Sequence, residues 1–186
     1  MNSVKPLINN ELIQDISDYL EERRERDYVL FWTGIYTGRR IGDLRTLKIR
    51  DIKDKDRIVF IEGKTKKKAD IILHPHLKEI YKHYCEGKSK YEYAFPNNRK
   101  PAGPISRVRI WQILNEAAAH FEYKDKIGCH TLRKTFGYWL YQEGKDIMII
   151  KELLNQSDIA VTKRYIGIDQ DQKDNVICNL NFGKTS

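Results

Sequence analysis

The sequence predicts a mainly helical domain with one small antiparallel sheet on its edge. Three observations point there. Apolar residues recur at three- and four-residue spacing over most of the 186-residue chain, as amphipathic helices require. Only one stretch, residues 57–74, switches to short runs rich in β-branched side chains. A charged, glycine-led segment, Gly63-Lys-Thr-Lys-Lys-Lys68, joins those runs as a hairpin turn would. The length suits a single domain with room for a real core.

Taken in order, residues 10–24 place Leu12, Ile13, Ile16 and Leu20 on one face of a first helix, with charge outside. Asp27 is the expected cap of a second helix over 28–36, which Thr37-Gly38 breaks. A third, short helix turns Ile41, Leu44 and Leu47 inward. Residues 57–62 and 70–74 read as the two strands. Pro75 closes the second, and 76–85 reads as helix. Residues 91–95, ahead of Pro96-Asn97-Asn98, form a weak extended segment. From about residue 104 the chain is helical in pieces. Ile110, Ile113 and Leu114 make one apolar face. Leu132, Phe136, Trp139 and Leu140 fall at i, i+4, i+7 and i+8, a buried stripe by spacing. Segments 145–155, 158–166 and 169–180 are further short helices. Neither a repeat nor a low-complexity tract interrupts the pattern.

Composition narrows the partners. With 34 Lys+Arg against 26 Asp+Glu, the formal charge is +8, which favours a polyanion such as DNA. No apolar run approaches the roughly 20 residues of a membrane span, and Met-Asn-Ser-Val-Lys-Pro has no signal-peptide core. Cys85, Cys129 and Cys178 are odd in number and widely spaced, without a C-x-x-C motif, so no zinc site or disulfide framework is expected. A cytoplasmic setting is the expectation. Gly63-Lys64-Thr65 and Gly183-Lys184-Thr185 fail as phosphate loops, because Ile58 and Cys178 stand where the first glycine belongs.

Arg40, Lys64, His130, Arg133 and Tyr165 carry the chemistry. Two guanidiniums can grip the non-bridging oxygens of a phosphodiester. Lysine and histidine can move protons, and a tyrosine hydroxyl can hold the phosphoryl group covalently. His130 and Arg133 stand three apart at a helix start and so share a side, near the positive end of the helix dipole. Gly38 permits a sharp turn ahead of Arg40. Asp43, one turn on, is placed to accept a hydrogen bond from Arg40.

The ordered set resembles the catalytic domain of the tyrosine recombinases, or phage-type integrases, over nearly the whole chain. Thr37-Gly-Arg-Arg40-Ile-Gly-Asp43-Leu resembles that family's first arginine motif. Gly63-Lys64 resembles its hairpin lysine, and Tyr93-Ala-Phe-Pro96 its mid-domain marker. His130-Thr-Leu-Arg133 resembles its most specific signature, and Leu153-Leu-Asn-Gln156 through Tyr165 the box that ends in the nucleophile. Gln156 departs from the usual His or Trp, and Asn155 from the usual Gly. A glutamine can donate a hydrogen bond but cannot shuttle a proton. The family's N-terminal DNA-clamping domain is expected to be absent, residues 1–9 acting as a linker.

The resemblance implies strand cleavage and rejoining through a 3′-phosphotyrosine, with neither metal nor ATP. Tyr165 is then the nucleophile, Arg40 and Arg133 the charge stabilisers, Gln156 a neutral donor, Lys64 the general acid and His130 the proton acceptor. The flanking guanidiniums are expected to lower the pKa of Tyr165, and Asp43 to support Arg40. Partners implied are double-stranded DNA in the nucleoid of a prokaryote and a homotetramer assembled on it from free monomers. Accessory DNA-bending proteins are further candidates. The tail 169–186, with Val176, Ile177, Leu180 and Phe182, is a candidate for docking on a neighbouring subunit or back on its own domain. Rival readings are a type IB topoisomerase, which religates the same strand, and a catalytically impaired DNA-binding scaffold, which Gln156 favours. A metal-dependent nuclease is disfavoured because no acidic cluster suits two metals.

Overall fold

The structure is a computed structural model that describes residues 4–61, 63, 68–166 and 178, apart from the side chains of residues 164 and 166. Helix α1, Asn10–Arg23, starts where the Asn9 side chain accepts from the Leu12 amide at 3.2 Å, and it buries Ile13, Ile16 and Leu20. Helix α2, Glu25–Thr37, follows after one extended residue, Arg24. It begins three residues before the expected start. Asp27 therefore lies inside the first turn, where Arg26 Nε donates to its carboxylate at 2.7 Å and Arg26 Nη1 donates to the Pro96 carbonyl at 2.6 Å. A buried ion pair has taken the carboxylate that local pattern assigns to a cap.

Two one-turn helices come next, α3 at Ile41–Leu44 and α4 at Ile49–Ile52. The sequence pattern anticipates only the first. Strands β1, Arg57–Ile61, and β2, Lys68–Ile72, pair antiparallel with Arg57 opposite Ile72 and Ile61 opposite Lys68. The second strand starts and ends two residues earlier than expected, so Lys68 belongs to the sheet. Alternation puts Ile58, Phe60, Ala69 and Ile71 inward. Helix α5 is Pro75–Tyr84, with proline in the first turn. Residues 91–95 form no strand but an isolated bridge from Tyr93 to Lys48. Helix α6, Arg107–His120, is capped by the Ser106 hydroxyl, which accepts from the Arg109 amide at 3.0 Å.

Helix α7, Thr131–Gln142, crosses α2 at close range. A Cβ at Gly34 would stand 2.5 Å from Leu132, and one at Gly38 would stand 2.3 Å from Phe136. Gly38 also has φ +59°, a left-handed cap for α2. These two glycines, one turn apart, admit Leu132 and Phe136, likewise one turn apart. The expected buried stripe on α7 holds only at Leu132. Phe136, Trp139 and Leu140 are partly exposed and line an apolar groove of about 690 Å³ with Trp32, Ile35 and Tyr36. Helices α8, Ile147–Leu153, and α9, Ile159–Ile166, complete the described order. The expected segment 169–180 lies outside the described residues, save Cys178.

A short strap precedes α1. Leu7 is fully buried. Its amide donates to Thr135 Oγ1 at 2.9 Å, and its carbonyl accepts from Trp139 Nε1 at 3.1 Å. Val4 lies against Gly128, where a Cβ would come within 2.6 Å of it. The strap is thus fastened to α7 and to the loop that leads into it.

Candidate active site

A pocket of about 310 Å³ gathers Arg40, His130, Arg133, Gln156 and Tyr165, together with Asn155, Ser157 and Val161. Five of the expected site residues, far apart in sequence, therefore meet. Lys64 lies outside the described residues. Its neighbour Gly63 is placed, and the Gly63 amide donates to Asp43 Oδ1 at 3.1 Å. That bond brings the hairpin mouth against α3, which Arg40 precedes. Asp43 Oδ2 is buried with no hydrogen-bond partner among the described residues. Asp43 thus ties the hairpin to α3, a different task from the expected support of Arg40.

Arg40 and His130 each occupy the position just ahead of a helix. The Arg40 carbonyl accepts from the Asp43 and Leu44 amides at 2.8 and 3.0 Å, which fixes its backbone. His130 makes no side-chain cap on α7. Thr131 Oγ1 accepts from the Gly128 amide at 3.0 Å and closes the turn instead. The His130 imidazole is left for the pocket, and its Nδ1 lies 3.0 Å from Tyr165 Oη.

Arg133 is almost wholly buried. Its Nη1 donates to the Gly38 carbonyl at 2.9 Å and its Nη2 donates to the Leu154 carbonyl. One guanidinium therefore pins the end of α2 to the end of α8 and faces the Tyr165 ring, 5.8 Å from its centroid. Arg39 does parallel work, donating through Nη2 to the Leu153 carbonyl and through Nε to Thr37 O at 3.2 Å. The last four carbonyls of a helix lack partners within it. At α8 all four are met: Asn155 N donates to Glu152 O at 2.8 Å, Gln156 N donates to Lys151 O at 3.0 Å, and the two arginines take Leu153 and Leu154. Asn155 has φ +51°. This is a Schellman ending with the left-handed residue in its usual place, and it turns Gln156 into the pocket.

Electrostatics set the proton inventory. Burial raises the Tyr165 pKa above its ordinary value, against the lowering influence of Arg133 and Arg40. The expected net lowering by the guanidiniums is thus reversed, because desolvating a phenolate outweighs the nearby positive charge. His130 moves the other way. Desolvation, then Arg133, Arg40 and Lys134, disfavour the imidazolium. Both shifts favour a phenol beside a neutral imidazole, and such an imidazole, with its proton on Nε2, would accept from the phenol at Nδ1. Lys134, also buried, holds its Nζ 5.3 Å from the Tyr165 ring centroid.

Sequence reasoning missed Arg39, Lys134 and Asn155. Arg39 sits beside Arg40 in a Gly-Arg-Arg run, and no local signal says which guanidinium turns inward. For Asn155 a signal existed, since asparagine tolerates a left-handed conformation far better than most residues. Among the described residues no group of three His, Cys, Asp or Glu side chains is placed to hold a metal ion.

A half-buried tyrosine hydrogen-bonded to a histidine, between two arginines on a helical domain with an edge hairpin, defines the catalytic domain of a tyrosine recombinase. The chain belongs to the phage integrase family, whose sequence profile matches residues 7–172, and it is an enzyme of the site-specific recombinase class. It is 43% identical over 171 residues to the probable integrase/recombinase YoeC of Bacillus subtilis, covering 92% of this chain and 93% of that one. Among solved structures, XerA recombinase superposes with a TM-score of 0.79 at 20% identity, over 98% of this chain and 67% of that chain. XerH site-specific recombinase, solved bound to its difH DNA substrate after cleavage, gives 0.73 at 18% identity, over 96% of this chain and 53% of that one.

Proposed function

We propose that this domain cleaves and rejoins double-stranded DNA at a specific site through a covalent link to Tyr165. The carrying observation is the 3.0 Å contact between His130 Nδ1 and Tyr165 Oη in a pocket shared with Arg40 and Arg133. Tyr165 Oη attacks the scissile phosphorus while its proton passes to His130 Nδ1. The bond from phosphorus to the 5′-oxygen breaks, and that oxygen takes a proton from Lys64. A 3′-phosphotyrosyl ester and a 5′-hydroxyl remain. Arg40 and Arg133 offset the charge that grows on the non-bridging oxygens, and Gln156 adds a neutral donor. The raised Tyr165 pKa gives the histidine its task, because the phenol keeps its proton until attack. Attack by a 5′-hydroxyl from a second duplex reverses the steps and exchanges strands. The ester conserves the energy of the broken backbone, so the cycle runs without ATP.

Assembly belongs to the same reading. The site-specific recombinase XerH was solved on its DNA substrate, and we place this protein likewise on duplex DNA, as a tetramer formed from free monomers in the cytoplasm. The half-covered Phe136, Trp139 and Leu140 line the groove that the 169–186 tail of a neighbouring copy would fill. Deleting residues 169–186 should then abolish higher assemblies on DNA in sedimentation, and unchanged assembly would remove the tail from the model of exchange.

The chemistry is tested with nicked suicide duplexes drawn from candidate element ends, run on a denaturing gel. A covalent adduct with the native protein and none with Tyr165→Phe is the expected result. Adducts that persist in Tyr165→Phe would move the nucleophile elsewhere. Relaxation of supercoiled plasmid without strand exchange would favour the topoisomerase alternative.

A further inference from the structure

We infer that Asn155 is a further catalytic residue, whose side-chain amide donates a hydrogen bond to a non-bridging oxygen of the scissile phosphate. The inference rests on the reading of the pocket as the site of phosphoryl transfer. Asn155 lines that pocket with Arg40, Arg133, Gln156 and Tyr165. Its Nδ2 is buried and has no hydrogen-bond partner among the described residues. A buried donor left unmet costs about 1–3 kcal/mol, and such a group calls for an explanation, a catalytic role among them.

The backbone explains part of this residue and leaves the rest over. With φ +51°, position 155 calls for a residue that accepts the left-handed conformation. Glycine meets that demand better than asparagine. Backbone geometry alone therefore gives no reason for a side chain here, least of all one whose amide goes unbonded. A phosphate lodged between Arg40 and Arg133 supplies the missing acceptor. The placement is rigid. The Asn155 amide donates to Glu152 O and the next amide to Lys151 O. Arg39 and Arg133 hold the two carbonyls just before it. The backbone that carries the donor is thus fixed before substrate arrives, which limits what must reorganise for a neutral hydrogen bond to aid a charged transition state.

Asn155→Gly separates the two roles, because it keeps the left-handed turn and removes only the donor. The Gly variant should melt with the native protein and bind the nicked duplex within about two-fold. Its rate of Tyr165 adduct formation should fall about 10²-fold, the effect of removing one preorganised donor. Asn155→Asp preserves the shape and turns an anion on the phosphate, and it should cleave more slowly still. Native-like cleavage by Asn155→Gly overturns the assignment and leaves asparagine as a turn residue only. Native-like cleavage by Asn155→Asp overturns it too, since the side chain then does not meet the phosphate. Failure of the native protein to form any Tyr165-dependent adduct would instead sink the proposed function itself.

Discussion

The two apolar clusters among the described residues differ greatly in depth, and the candidate site straddles them. His130 and Arg133 flank Leu132, whose side chain belongs to the main core with Leu30, Phe31, Ile110 and Leu114. Tyr165 and Gln156 belong to the other side. Tyr165 packs on a small cluster centred on Ile150 and Leu154, with Phe136, Leu140, Tyr141 and Ile147 only partly buried around it. Arg133, the proposed phosphate ligand beside Leu132, is therefore set in the deep core. The nucleophile rides on a thin layer. Local opening draws on the least buried parts of a fold, so α8 and α9 are expected to unfold before α7 does. The arginines at the end of α8 are the joints between the layers.

Arg133→Ala attacks the comparison where it is sharpest. It removes a phosphate ligand and unties the Leu154 carbonyl together, so adduct formation should fall by at least about 10³-fold and limited proteolysis should cut first near α8. Normal cleavage by this variant would discard the site assignment. Two leucine truncations then measure the clusters against each other. Leu132→Ala should lower the stability of the whole domain by about 2–5 kcal/mol in urea unfolding. Leu154→Ala should lower it by less and yet slow adduct formation more than its own stability loss explains. Equal stability losses, with rates that follow them, would erase the distinction.

Acid gives a gentler test. The folded protein holds His130 below its usual pKa, so cleavage should persist below pH 6.5, where an ordinary histidine is half charged. The unfolded chain takes up this proton first. Stability therefore falls slightly as pH drops through about 6.5 and stops falling once folded His130 protonates. An activity profile that breaks above pH 6.5 would contradict a neutral resting histidine. The smallest change expected is Gln156→His, a rise in adduct rate of a few-fold. No rise would mean that the position orients the phosphate and carries no proton.

Much of this was legible from sequence because it is periodic or covalently local. Leu132 follows from helical spacing, the hairpin from β-branched runs, and the His130–Arg133 pair from their separation of three. What escaped depends on choices made between distant elements. Asp27 reads as a cap until Arg26, which also donates to the Pro96 carbonyl, claims it. Arg39 and Arg40 are indistinguishable until the end of α8 presents the Leu153 carbonyl to Arg39. The Tyr165 pKa turns on a balance between burial and charge, and charge alone is visible in a sequence. Phe136, Trp139 and Leu140 have core spacing, but spacing does not say which face is covered by the same domain.

The strap through Leu7 has a mechanical meaning. Its bonds to Thr135 and Trp139 lie along α7, two and six residues beyond Arg133, so tension along the strap bears on the helix that carries Arg133. Val4 braces the loop that ends at His130. Movement of the strap is thus geared to the helix that carries Arg133 and to the loop that ends at His130.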